Sequence, residues 1–104
     1  MRIEDTVWRM IGISGSERGQ LRLTKDSFSF EGEKGTRFDV PHRSVTAVRF
    51  PWYYLGGGMK VTVGTETYRF SFVEPHNEYA SIGDGRATGA KWRTALEKVV
   101  RNAA

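Results

Sequence analysis

Cysteine is absent from this sequence, which removes both a disulfide framework and a thiolate metal site. That absence is compatible with a reducing, cytoplasmic setting. Histidine is nearly absent too. His42 and His76 lie in different turns, and although EPHNE sets His76 between Glu74 and Glu78, a divalent site needs further ligands that the pattern does not offer. No Ser–His–Asp, Cys–His or paired-carboxylate arrangement occurs, so neither a catalytic residue, a metal nor a cofactor is expected, and the chain is not expected to be an enzyme. Long apolar runs are missing as well. Nothing approaches the roughly 18 residues of a membrane span, and the opening MRIEDTVWRM carries acids in place of a secretory apolar segment. A membrane would be met only from outside.

Charge of one sign is not abundant either. Sixteen Lys and Arg against twelve Asp and Glu leave +4. That excess assists encounter with anionic partners, but the basic residues never form a run of more than two, which disfavours nucleic acid. The 104 residues fit one domain, and a domain of that size buries roughly two-thirds of its unfolded surface.

What the sequence does contain is alternation. Leu21 and Leu23 oppose Gln20, Arg22 and Thr24; Phe28 and Phe30 oppose Ser27, Ser29 and Glu31; Phe38 and Val40 oppose Arg37 and Asp39. Farther on, Met59, Val61 and Val63 alternate with Lys60 and Thr62, and Tyr68, Phe70 and Phe72 with Arg69 and Ser71. Period two is the signature of half-buried strands. Strands are expected over 6–13, 19–24, 27–32, 36–40, 45–50, 59–63 and 67–72, with SGSERG (14–19) as a loop. Over 6–13 either face could be the inner one, because Trp8 and Met10 oppose Val7, Ile11 and Ile13.

After Phe72 the period vanishes, and residues 73–86 read as a loop. GDGRATG does not match a phosphate-cradling spacing and follows no strand, so it reads as a helix entry. Over approximately 87–101 the period becomes helical: Trp92, Leu96, Val99 and Val100 share one stripe, with Asp84 or Thr88 as the expected cap. Seven alternating strands and one amphipathic helix imply a mainly β protein, a partly open antiparallel barrel closed by a C-terminal helix. Trp92 and Leu96 are expected to plug it.

These pieces resemble a known family. GQLRLTKDSFSFEG, FDVPHRSVTAVRF and GGGMKVTVGTETYRFSF, followed by the helix around Trp92, resemble in content and order the GRAM-type and bacterial pleckstrin-homology-like domains. The resemblance implies a pleckstrin-homology-like barrel and a binding module that is not an enzyme. Members that bind phosphoinositides place basic residues around the first inter-strand loop, commonly with a basic–x–Arg pair. Here SGSERGQLRL supplies Arg18 and Arg22, with Arg9 upstream, but it lacks that pair and puts Glu17 in the middle.

The most conspicuous stretch is PWYYLGGG. Consecutive residues of an extended chain point to opposite sides, so Trp52, Tyr53, Tyr54 and Leu55 cannot all pack inward, and aromatic residues suit both interfaces and membrane surfaces. The expected function is protein–protein contact or self-association through this segment. The alternative is peripheral binding to anionic membrane, with Arg18, Arg22 and Lys60 as phosphate contacts. The outward Arg22, Arg37, Arg49, Lys60 and Arg69 form a patch only if the fold gathers them.

Overall fold

Arg2–Ile11 (β1) and Gly15–Thr24 (β2) pair along their whole length, with Val7 opposite Gly19 and Asp5 opposite Leu21. The computed structural model describes residues 2–51, 54, 57–75 and 82–103, the side chains of Ile82, Asn102 and Ala103 excepted. Ser27–Gly32 (β3) and Arg37–Pro41 (β4) extend this meander. A 3-10 turn at His42–Ser44 leads to Val45–Arg49 (β5), then Gly58–Val63 (β6) and Glu66–Ser71 (β7). All pairings are antiparallel, in the order β4-β3-β2-β1-β7-β6-β5. The sheet curls but does not close, with β4 and β5 as its edges.

Ile82–Ala103 (α1) lies against β5, the 3-10 turn and β6. Its Trp92, Ala95, Leu96 and Val99 fall at helical spacing and are all buried, so the helix gains from burying one stripe rather than from local propensity. Trp92 has no exposed surface; its indole donates to Asp5 Oδ2 at 2.9 Å, and its ring meets Phe28 edge-on at 6.4 Å. From Phe28 a chain of ring contacts continues through Phe38, Tyr68 and Phe70 to Phe30, with centroids 5.0–6.1 Å apart. Such pairs add directional preference to the burial of large apolar area. No helix among the described residues is long and apolar enough to cross a membrane.

The elements depart from the sequence expectation at both ends of the chain. Rather than spanning 6–13, β1 begins at Arg2 and stops at Ile11; Ile13 stands fully exposed in the turn that follows. Its inner side carries Ile3, Asp5, Val7 and Arg9. Two charges on that side erase the apolar alternation from which a strand is read. The expected loop 14–19 is largely strand, since β2 starts at Gly15 and the inner position there is taken by Glu17. The helix starts at Ile82 instead of near residue 87, so Thr88 lies inside it and Asp84 sits in its first turn, where a carboxylate favours the positive end of the dipole. The other strands begin and end within one residue of expectation.

Candidate functional site

Among the described residues, Glu17 is the buried charged side chain, with no exposed surface. It faces Arg9 across the β1–β2 ladder, and Arg9 Nε donates to Glu17 Oε1 at 3.0 Å. The other oxygen accepts the backbone N–H of Lys34 at 2.8 Å and of Thr36 at 3.0 Å. One carboxylate thus ties the β3–β4 turn to the β1–β2 hairpin. Burial alone would push its pKa up, but the hydrogen bonds from Thr36, Arg9 and Lys34 outweigh that and hold it at about 2, against an ordinary 4.5. A Cβ at Gly32 would collide with this carboxylate, so glycine is required there. The consequence for ligands is direct: the guanidinium and amides that could receive a phosphate at this end are already turned on Glu17.

The basic residues singled out as phosphate contacts do not come together. Arg18 and Arg22 both point outward from β2. Arg18 approaches Glu33 at 3.7 Å, while Arg22 makes a two-pronged contact with Glu4 at 3.2 Å, and Arg2 adds a further contact to Glu4 at 2.9 Å. Those arginines, Arg22 first, lower the Glu4 pKa. Lys60 lies elsewhere, on β6. Of the aromatic stretch, Trp52, Tyr53 and Leu55 lie outside the described residues, as does His76. Tyr54 is half-buried, its amide donates to Pro51 O at 3.0 Å, and its ring packs over Gly58.

Next to Tyr54 a cleft of about 260 Å³ opens. Met10 of β1, Arg69 and Ser71 of β7, Val73, Gly57 and Gly85 of α1 border it. Gly85 lets the helix start come close, because a Cβ there would stand 2.8 Å from Val73 Cγ1. Arg69 Nη2 donates to Gly12 O at 2.8 Å, which fixes the turn carrying Ile13 beside the cleft. Sequence reasoning named neither Met10, Val73 nor Gly85 here, since the cleft draws on segments up to 75 positions apart.

Lys60 is opposite Arg49 on one side and opposite Arg69 on the other. These three cations therefore form one row across β5, β6 and β7, on the face away from the core. The remaining outward positions of these strands hold Thr46, Ala47, Gly58, Thr62, Thr67 and Ser71. Thr62 and Thr67 share a hydrogen bond at 3.0 Å, and Thr46 sits at the irregularity between Val45 and Ala47. No outward position of β5, β6 or β7 holds a carboxylate.

Comparison with solved structures finds the N-terminal pleckstrin-homology domain of the human ARAP2 protein, solved in solution. The TM-score is 0.68 at 14% identity, over 99% of this chain and 82% of that one. At that identity the likeness establishes the fold, which is pleckstrin-homology-like, and nothing finer, so the GRAM affiliation is not carried forward. No protein-family model matches the sequence. No curated protein matches it either.

Proposed function

We propose that this chain is a non-enzymatic binding module that holds a segment of a partner protein in the cleft bordered by Met10, Arg69, Val73 and Gly85, with Trp52, Tyr53, Tyr54 and Leu55 as flanking contacts. A cytoplasmic setting goes with this proposal. The observation that carries it is the cleft itself, a concave and mainly apolar site with one guanidinium at its wall, the usual make-up of a ligand site. Barrels of this kind hold diverse ligands, so the fold does not choose among them. Occupation of Arg9 and the Lys34 and Thr36 amides by Glu17 speaks against inositol phosphate as the ligand.

A selection from a random-peptide display library tests the proposal, run in parallel on the protein and on Met10→Glu. Enriched peptides should bind Met10→Glu at least tenfold more weakly. Peptides indifferent to that substitution, or no enrichment, would remove the cleft as the site. Light scattering run beside it identifies the partner as a second copy if a dimer forms that Met10→Glu dissolves.

The second reading is peripheral attachment to anionic membrane through the 51–58 segment, Arg18, Arg22 and Lys60. It is favoured by Ile13, fully exposed beside the cleft. Sedimentation with phosphatidylserine-containing vesicles at low salt is expected to leave the protein in solution; co-sedimentation abolished by Ile13→Asp would transfer the function to the membrane.

A further inference from the structure

Independently of the cleft, we infer that the β4 edge of the sheet pairs with the β4 edge of a second copy. The pairing is antiparallel about a two-fold axis at Phe38, with Arg37 of each copy opposite Asp39 of the other.

The two edges of the open sheet are not alike. α1 lies against β5, whereas β3 is the neighbour on which β4 packs. In an antiparallel ladder, hydrogen-bonded and non-hydrogen-bonded pairs alternate. Gly32 N donates to Thr36 O at 2.8 Å. Stepping by two along the β3–β4 register makes Phe30–Phe38 and Phe28–Val40 the hydrogen-bonded pairs. The amides and carbonyls of Arg37 and Asp39 therefore point out of the edge, and among the described residues none of them has a hydrogen-bond partner. Such a row is a template for another strand.

Charge chooses the occupant. Groups that face the edge must meet groups that face it, so the axis between two antiparallel copies can fall at Arg37, Phe38 or Asp39. An axis at Arg37 sets two arginines opposite each other. One at Asp39 opposes two carboxylates and puts Arg37 against Pro41, which has no N–H to donate. An axis at Phe38 places Arg37 opposite Asp39 twice and closes every edge-facing amide and carbonyl of both residues. It also brings the half-buried Phe38 rings together on the core side. Opposite charges directly across a ladder are favourable and like charges are not. The strand is thus complementary to itself in one register, the condition for a closed two-fold interface.

The Asp39 carboxylate is exposed and, among the described residues, makes no hydrogen bond or ion pair. Arg37 is already engaged, since its Nη2 meets Glu31 at 2.8 Å. That pair is exposed, and a guanidinium is a planar fork of five donors, so it can take a second carboxylate. Pairing sets Arg37 between Glu31 of its own copy and Asp39 of the other, with strands about 4.8 Å apart. At the ends of the ribbon, the turn holding Glu33 and Lys34 in one copy comes towards Arg43 of the other. That neighbourhood has mixed sign and neither drives nor blocks pairing. Pro41 and the β3–β4 turn confine the contact to a short ribbon, so the association is weak and concentration-dependent.

Sedimentation velocity over a wide range of protein concentration tests this, with amide exchange of isotope-labelled protein followed over the same range. A monomer should give way to a dimer as concentration rises. Protection of the Arg37 and Asp39 amides should rise with it, whereas the Phe38 and Val40 amides are protected in the monomer too. Arg37→Glu and Asp39→Arg should each weaken the dimer at least tenfold, because the two-fold applies each like-charge contact twice. An equimolar mixture of these variants should pair nearly as well as the parent. In it the introduced glutamate faces the introduced arginine, and Asp39 still faces Arg37. Amide spectra that overlay away from the substituted sites confirm that both variants are folded. Met10→Glu should leave the dimer unchanged, which keeps this test apart from that of the cleft.

A chain that stays monomeric across the range overturns the pairing. So does a dimer that both single variants form as well as the parent, or a mixture no better than either variant alone. A dimer lost in Met10→Glu belongs to the cleft. If the chain stays monomeric while the blocked peptide Thr-Arg-Phe-Asp-Val protects the Arg37 and Asp39 amides, the edge takes a foreign strand and not a second copy.

Discussion

Two outward faces of one sheet handle charge in different ways. Across β1–β4, positive and negative side chains are interleaved: Arg22 and Arg2 hold Glu4, Arg37 holds Glu31, and Arg18 approaches Glu33. Across β5–β7 the outward ladder positions carry Arg49, Lys60 and Arg69 among threonines, Ser71, Ala47 and Gly58. Exposed ion pairs contribute little to stability, so the interleaving on the first face serves mainly to neutralise it. A domain with a net charge of only +4 can thus gather cations of one sign on one part of its surface and mix signs on another.

The comparison has a buried counterpart that breaks it most severely. Glu17→Gln would leave the Arg9 guanidinium without its counter-charge and a backbone amide poorly matched, at a cost on the order of 3 kcal/mol in urea unfolding. The same carboxylate sets an acid dependence. Because its folded pKa lies near 2, below the ordinary 4.5, its contribution is complete above pH 4.5 and fades as pH falls towards 2. The gap in unfolding midpoint between the protein and Glu17→Gln should therefore be constant from pH 7 to pH 5, then shrink below pH 4.5. A gap that is flat down to pH 2 would show that the carboxylate is not held in its charged form.

A smaller effect is expected on the interleaved outer face. Arg22→Ala removes a two-pronged contact whose partners are 42% and 32% exposed, and thermal unfolding should register a loss below about 1 kcal/mol. Smallest, and opposite in sign, is Arg49→Glu. It converts a like-charge neighbour of Lys60 into an attractive one and should stabilise the fold by about 0.5 kcal/mol. Thermal unfolding checks it; if Arg49→Glu destabilises, the row is part of the scaffold.

Legibility followed the nature of each contact. Phe28, Phe30, Leu21, Leu23, Val61 and Phe70 are buried where their alternation places them, because period two maps directly onto the two sides of a strand. The stripe of Trp92, Leu96 and Val99 was equally plain. β1 was obscure because Asp5 and Arg9 occupy inner positions; each is matched by a distant partner, Trp92 and Lys91 for Asp5, Glu17 for Arg9. A strand whose inner residues are satisfied by charge pairing looks amphipathic on neither side. The start of β2 was obscure for the same reason, and Glu17 looked like a loop residue until its partners were in view. Of the candidate site, Lys60 was visible as an outward cation, but its alignment with Arg49 and Arg69 was not.

Inward and outward sets, and with them the seven-stranded barrel closed by a helix, follow from the order of apolar and polar residues along the chain, since burial selects side chains by local period. Which charges cancel, which remain, and where a cleft opens were decided only when strands far apart in the chain took up register. Electrostatic energy depends on distances between side chains, and those distances are set by the folded ladder and not by separation in sequence.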